Sequence, residues 1–281
     1  MCITAVALNS HPNYPFVLIF NRDEAFERPT SELAEWSDEW EGIVAGRDLM
    51  GGGTWLGINR DGKFVALTNF TDEDLEVLQQ QQANPSASLW SGNMHDYLTR
   101  GMIPLRLLRK NVNIYNELQD IWTDRSRYKS FNLLAGDIKN NEVYYLSVNQ
   151  AENAFSGLRR LDEGVHCMSN TDISNEWDKT KRLKADLENF LKNNDRFSTI
   201  DLVPLLRTEI KQDEPPENEA SIFIKPYPGE MFGTPATRGT VSSTIITLDS
   251  SQEIAILERT WNRDQISYSD TNKSFILTNH N

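Results

Sequence analysis

Cysteine is nearly absent from this chain: of 281 residues only Cys2 and Cys167 carry thiols. Two cysteines cannot build a disulfide framework. A single Cys2–Cys167 bond stays open as an alternative, and a reducing, cytoplasmic location is the simpler expectation. Histidine is also sparse: His11, His95, His166 and His280 fall into no HExxH or similar spacing, so no metal site is expected. No run of about eighteen apolar residues exists, which argues against a transmembrane helix. At the start, Asn9-Ser10-His11-Pro12 interrupts the apolar run and no basic region precedes it, so no secretory signal is read. Basic residues are in deficit: 28 Lys and Arg face 41 Asp and Glu, for a formal net charge of −13. That balance argues against nucleic-acid partners and anionic membranes. Gly51-Gly52-Gly53 lacks the Lys-Ser/Thr of a phosphate loop and does not match GxGxxG. No linker and no internal repeat divide the chain, so one domain over 1–281 is expected.

Seven tryptophans and twelve phenylalanines are enough to fill a sizeable core. Apolar runs at Cys2–Leu8 and Phe16–Phe20 read as paired strands. Trp55–Asn59 and Phe64–Phe70 form a second pair around Arg60-Asp61-Gly62, where Asp-Gly signals a hairpin. Thr71-Asp72-Glu73-Asp74 reads as an acidic helix start, and Pro85–Leu118 as mostly helical, broken at Gly101 and Pro104. Strands return at Phe131–Ala135 and Val143–Val148. Ser174–Lys192 has helical spacing, with Trp177, Leu183, Leu187, Phe190 and Leu191 on one face. Ile200–Ile210 reads as a second helix and Gln212–Ala220 as a loop. Val241–Leu248 and Ile254–Leu257 form a late hairpin, with a last strand at Phe275–Leu277. Strands grouped around blocks of helix indicate an α+β layered fold.

The second residue carries the sharpest chemical signal. Removal of Met1 would put a thiol and a free α-amine on Cys2, with ordinary pKa values of about 8.5 and about 8. The chain end would then supply both nucleophile and base. Polar residues recur where apolar runs end. Asn21-Arg22-Asp23-Glu24 follows Phe20, Asn69 ends Phe64–Thr68, and Asn170 ends His166–Ser169. If the first two strands are antiparallel, Asp23 lies beside Cys2, where a carboxylate can hold an ammonium. Asn69 and Asn170 offer amide donors for an oxyanion. Arg22 and Arg238 are the candidate substrate-binding residues; Arg238, just before the late hairpin, could orient a carboxylate or polar substrate. Each of these also has a plain alternative: a solvated turn for the charged run, ordinary turn asparagines, a surface arginine. Cys2 is expected to be the more reactive thiol, because Cys167 sits inside an apolar run.

Met1-Cys2-Ile3, Asn21-Arg22-Asp23-Glu24, Ala45-Gly46-Arg47-Asp48 and Gly52-Gly53-Thr54-Trp55-Leu56-Gly57 together resemble the NRDE family, also called the transport and Golgi organisation protein 2 family. Leu67-Thr68-Asn69-Phe70, Phe131-Asn132-Leu133-Leu134, Met168-Ser169-Asn170, Ser242-Ser243-Thr244-Ile245-Ile246 and Leu257-Glu258-Arg259 extend the resemblance along nearly the whole chain, in order. The resemblance implies an N-terminal nucleophile hydrolase-like fold: a four-layer αββα sandwich of two antiparallel sheets between helices. It implies Cys2 as nucleophile, Asp23 beside the amine, and Asn69 and Asn170 as the two asparagines of the site. It departs from the pattern where Val241 stands in place of an expected arginine; Arg238 lies three residues earlier. The expected activity is amide hydrolysis or acyl transfer on a small amide or thioester, with no cofactor required. The competing expectation is a non-catalytic carrier of haem or an acyl lipid on the same scaffold. Trp36, Trp40 and Trp55 would then serve the ligand instead of the core, with Cys2, His11, His95 or His166 as axial ligand. No CxxCH or Cys-Pro haem signature is present.

Overall fold

The computed structural model describes residues 1–37, 39–70, 98–150, 157–208 and 220–277. Its strands are β1 (Ile3–Leu8), β2 (Phe16–Ala25), β3 (Thr30–Glu35), β4 (Ile43–Asp48), β5 (Leu56–Asn59), β6 (Lys63–Asn69), β7 (Phe131–Asp137), β8 (Glu142–Val148), β9 (Gly157–Arg160), β10 (Gly164–Met168), β11 (Tyr227–Met231), β12 (Thr234–Leu248), β13 (Glu253–Trp261) and β14 (Tyr268–Ile276). Among the described residues the main helical elements are α1 (Met102–Leu107), α2 (Ile114–Thr123) and α3 (Asp178–Asn193), with a 3-10 helix at Thr199–Arg207.

The strands form two antiparallel sheets. One runs β10-β1-β2-β12-β13-β14, with β11 added to the start of β12; the other runs β3 through β9 in chain order. Side chains alternate between faces along a strand, and the first sheet buries both faces. Val6, Leu8, Phe16, Leu18 and Phe20 point toward the second sheet, where they meet Phe64, Leu134 and Tyr145. Ile3, Ala5, Ala7, Val17 and Ile19 point the other way, under Leu183, Leu187 and Leu191 of α3 and Leu202 and Leu206 of the 3-10 helix. Double burial is why β1 and the first half of β2 read as unbroken apolar runs. The second sheet is covered on its outer face by α1 and α2 through Ile103, Leu105, Leu118 and Ile121. The layers are therefore helix, sheet, sheet, helix.

The structure corrects several expectations. β2 does not end at Phe20. It continues through Asn21-Arg22-Asp23-Glu24, of which the first three are buried. A solvated turn is thereby excluded. Trp177 lies before α3 at its N-cap and not on its apolar face. The helix expected over Ile200–Ile210 is a 3-10 helix that starts at a Ser198–Asp201 capping box. Gly101 caps α1 and Pro104 sits in its first turn, where a missing N–H costs little. Neither residue breaks a longer helix there. The expected helix start at Thr71–Asp74, the first half of Pro85–Leu118, His95, His280 and nearly all of the 212–220 loop lie outside the described residues.

One irregularity positions the site. The β2–β12 ladder shifts register between Thr240 and Ser242, so Val241 is an extra residue on β12. Such a bulge changes the phase of alternation. Thr240 turns to Asp23 on the helix-covered face, and its hydroxyl donates to Oδ1 at 2.6 Å. Ser242 pairs with Arg22 and faces the second sheet.

Candidate active site

Cys2 stands one residue ahead of β1, and its side chain joins the apolar layer between the sheets. The ladders locate its neighbours. β1 pairs with β2 up to Ile3–Asn21 and with β10 up to Thr4–Met168. Carried one and two residues further, these registers set Cys2 between Arg22 and Asn170. Direct contacts agree: the Asp23 backbone N–H approaches Cys2 Sγ at 3.4 Å, and the Ser169 hydroxyl donates to the Cys2 carbonyl at 2.7 Å.

The alternation of β2 gives each residue of its polar quartet a separate task. Asn21 is fully buried; its amide donates to the carbonyls of Leu206 and Ile222, both at 2.8 Å, and accepts from the Ser243 hydroxyl at 2.6 Å. It ties β2 to the layer above. Asp23 faces the same side, and its Oδ2 lies 3.2 Å from the amino group of Met1. Arg22 faces the second sheet, stacked 4.1 Å from the centre of the Trp55 ring. Glu24 is ion-paired with Arg238 at 3.2 Å.

The two sheets are joined beside Cys2. The Thr68 hydroxyl donates to the Ser169 carbonyl, and the Asn170 amide donates to the Asn69 carbonyl at 2.7 Å. The Asn132 amide reaches the carbonyls of Ser169 and Thr171 at 3.3 and 2.9 Å and accepts from the Tyr145 hydroxyl at 2.7 Å. Asn170 is buried, whereas the Asn69 side chain is exposed at the end of β6.

Of the expected site residues, then, Cys2, Asp23, Arg22 and Asn170 come together. Asn69 is tied to them through its backbone. Arg238 lies apart: its guanidinium is held by Glu24 and by the Glu230 carbonyl at 3.1 Å, opposite Ala25 on β2. Cys167 also lies apart. It pairs with Ala5 and faces the α3 side, the opposite face from Cys2, so the two thiols share neither a bond nor a pocket. Trp36 and Trp40 pack under the outer helices, while Trp55 sits between the sheets; they form no common aromatic patch. His11 lies beyond Leu8 at the far end of β1, hydrogen-bonded to the Asn194 carbonyl, and His166 pairs opposite Val6 at mid-strand. Among the described residues no three His, Cys, Asp or Glu side chains cluster as metal ligands, and no helix is long and apolar enough to cross a membrane.

Ser169, Asn132, Thr240 and Ser242 were not singled out from sequence. Asn132 had a signal: an asparagine inside a strand is disfavoured and calls for a buried partner. The hydroxyls had none, because serine and threonine in strands are ordinary.

The electrostatics bear on both thiols. The Cys2 thiol is pushed up, first by burial; the ammonium of Met1 pulls it down, the Asp23 carboxylate pushes it up again, and Arg22 pulls it down more weakly. With Met1 in place, Cys2 is not an activated thiolate. Burial pushes Cys167 up as well. Arg22 is lowered by burial, against the pull of Glu24.

The family model described as Transport and Golgi organisation 2 matches residues 1–263. A mouse protein, Transport and Golgi organization 2 homolog, is 26% identical over 295 residues, covering 97% of each chain. The human homolog is 25% identical, covering 96% of this chain and 97% of its own. Among solved structures, a conjugated bile acid hydrolase from Clostridium perfringens superposes over 100% of this chain and 99% of its own, with a TM-score of 0.50 and 9% identity. That structure is of a variant whose cysteine at position two is alanine. The likeness places this chain in the N-terminal nucleophile hydrolase-like fold.

Proposed function

Because the chain belongs to the Transport and Golgi organisation 2 family and shares the hydrolase-like fold, we propose that it is a cysteine N-terminal nucleophile enzyme, an amidohydrolase or acyl transferase acting on a small amide or thioester. One observation carries this reading. The sulfur of Cys2 and a chain-terminal amino group converge on the same residue, Asp23, from opposite faces of β2. An aspartate buried inside a strand is costly unless a cation meets it. Here the cation is the amino terminus.

In the proposed mechanism Met1 is removed and the amine moves to Cys2. The amine takes the thiol proton, and the sulfur attacks the carbonyl carbon of the substrate. Negative charge gathers on the carbonyl oxygen, where the Asn170 amide and the Asn69 amide are the candidate donors. Collapse of the tetrahedral intermediate breaks the C–N or C–S bond, and the protonated amine returns its proton to the leaving group. Water then attacks the acyl-enzyme with the amine as base, releasing acid and free thiol. Asp23 holds the ammonium in place when it forms.

The test is mass spectrometry of protein incubated with N-acyl amides and acyl thioesters. The expected result is a chain that begins at Cys2 and gains one acyl group on the peptide containing Cys2. Turnover by protein that quantitatively retains Met1 would overturn the mechanism.

A further inference from the structure

A cavity of about 180 Å³ opens between the sheets beside Cys2, walled by Arg22, Trp55, Val241, Ser242, Glu258 and Thr260 together with the start of β3. Its position follows from the ladders. Arg22 pairs with Ser242, and Ser242 with Thr260. Directly opposed residues share a face, so Cys2, Arg22, Ser242 and Thr260 form a row across four strands. Neighbouring strands lie about 4.8 Å apart, so the cavity begins about one strand from the thiol.

Three polar groups in this wall have no protein partner. Arg22 is 6% exposed; its guanidinium stacks on the face of Trp55 and, among the described residues, makes no hydrogen bond and no contact ion pair, with Glu24 and Asp48 acting on it only at longer range. Trp55 Nε1 and Ser242 Oγ are buried without hydrogen bonds. The other cation in the wall, Arg28, is neutralised by a two-point contact with Asp48, at 3.2 and 2.7 Å. Glu258 is occupied as well: it accepts from the Leu33 N–H at 2.6 Å and from the Thr244 hydroxyl at 3.3 Å, and burial pushes its carboxyl up. Glu32, also in the wall, accepts from the Ser269 and Thr271 hydroxyls at 2.9 and 3.3 Å, so the wall presents donors without hydrogen bonds and a guanidinium without a contact ion pair. A buried guanidinium with no contact counter-charge is costly, and a fold retains such a group where a ligand completes it.

We propose that this cavity is an anion subsite that takes a carboxylate of the substrate, received by the Arg22 guanidinium, the Trp55 indole N–H and the Ser242 hydroxyl. A carboxylate fits the planar, two-point donor edge of arginine. A phosphate dianion would face Glu258 across a small cavity and is disfavoured. That the reacting bond lies near this carboxylate rests on Cys2 being the nucleophile; the subsite itself does not. Its distance from the sulfur, about 5–10 Å by strand spacing, puts the carboxylate a few bonds from the carbonyl under attack.

The experiment is calorimetric titration of the Cys2→Ser protein, which binds without turnover, with butyrate, butyramide and inorganic phosphate. Saturable butyrate binding is expected, at least tenfold tighter than butyramide or phosphate. Arg22→Met is expected to weaken butyrate at least tenfold, with Arg22→Lys intermediate. Ser242→Ala gives a second, smaller loss, so a misfolded Arg22 variant would not decide the matter. Absence of butyrate binding, equal binding of butyramide, or tighter binding of phosphate would each overturn the proposal. Butyrate binding by protein that acylates with no amide or thioester would leave the subsite standing and remove the hydrolase reading instead.

Discussion

Cys2 and Arg22 are held in states that only make sense with something else present. The Cys2 thiol is raised by burial while Met1 stands before it. A raised thiol has less thiolate at any given pH, so the Met1-bearing chain should react slowly with iodoacetamide at pH 7. Its rate should still be climbing above the ordinary thiol range near pH 8.5. Peptide mapping should find Cys167 unlabelled in the folded protein, since it is buried under α3; prompt labelling of Cys167 would refute the placement. If the proposed chemistry holds, Cys2→Ser should lower turnover by about a thousandfold or more, because a hydroxyl is far less ionised than a thiol. Arg22 makes the opposite kind of prediction. Burying a charge without a contact partner carries a desolvation penalty that an apolar side chain of similar size does not. Arg22→Met should therefore raise the urea midpoint of the ligand-free protein even as it weakens carboxylate binding at least tenfold. A lowered midpoint would show that Arg22 has a structural counter-charge.

At the scale of elements, β2 links fold to site, and Asn21 is its fastening. Asn21→Ala strands two buried carbonyls and the Ser243 hydroxyl; at about 1 kcal/mol per lost bond, a destabilisation of about 3 kcal/mol is expected by urea unfolding. Losses well under 1 kcal/mol would mean that water replaces the amide. β2 also shows how far the sequence could be read. Its apolar half was plain, because Phe16–Phe20 is buried on both faces. Its polar half looked like a turn, because partners for Asn21 and Asp23 come from segments some two hundred residues away. β3 went unseen for a related reason. Only Leu33 of its six residues is buried, so an edge strand left no alternation to detect. Most of β14 is exposed for the same reason, and only its apolar end was anticipated. Cys2, Asp23 and Asn170 were legible as a set of motifs. The Thr240–Ser242 bulge and the unmatched state of Arg22 were not, since both depend on which strands become neighbours.

For the whole molecule, carboxyls act in opposite directions on stability. Glu35, hydrogen-bonded by Arg60, is lowered, and so is Asp48, where burial is opposed by Arg28 together with the Met50 and Gly51 backbone N–H groups. Their contributions are present above the ordinary carboxylate range and are lost as pH falls through their folded values. Glu258 is raised by burial, so it favours the folded state below the ordinary glutamate value, and that support disappears as pH rises through its folded value. Glu258→Gln should accordingly raise the melting temperature at pH 7, with the gain shrinking toward pH 4; a constant difference across that range would contradict the assignment. The pairing of Asp23 with Thr240 has a consequence in time as well as space. These residues lie 217 positions apart. At about 5–20 residues per second, a ribosome needs roughly 10–40 s to make the second after the first. Through that interval the first strand lacks its clasp and the leading methionine stays open to an aminopeptidase. Once β12 arrives, the methionine is drawn against Asp23 with 16% of its side chain exposed. Trimming is then a race against the chain's own completion, and slower synthesis should yield more protein that starts at the thiol.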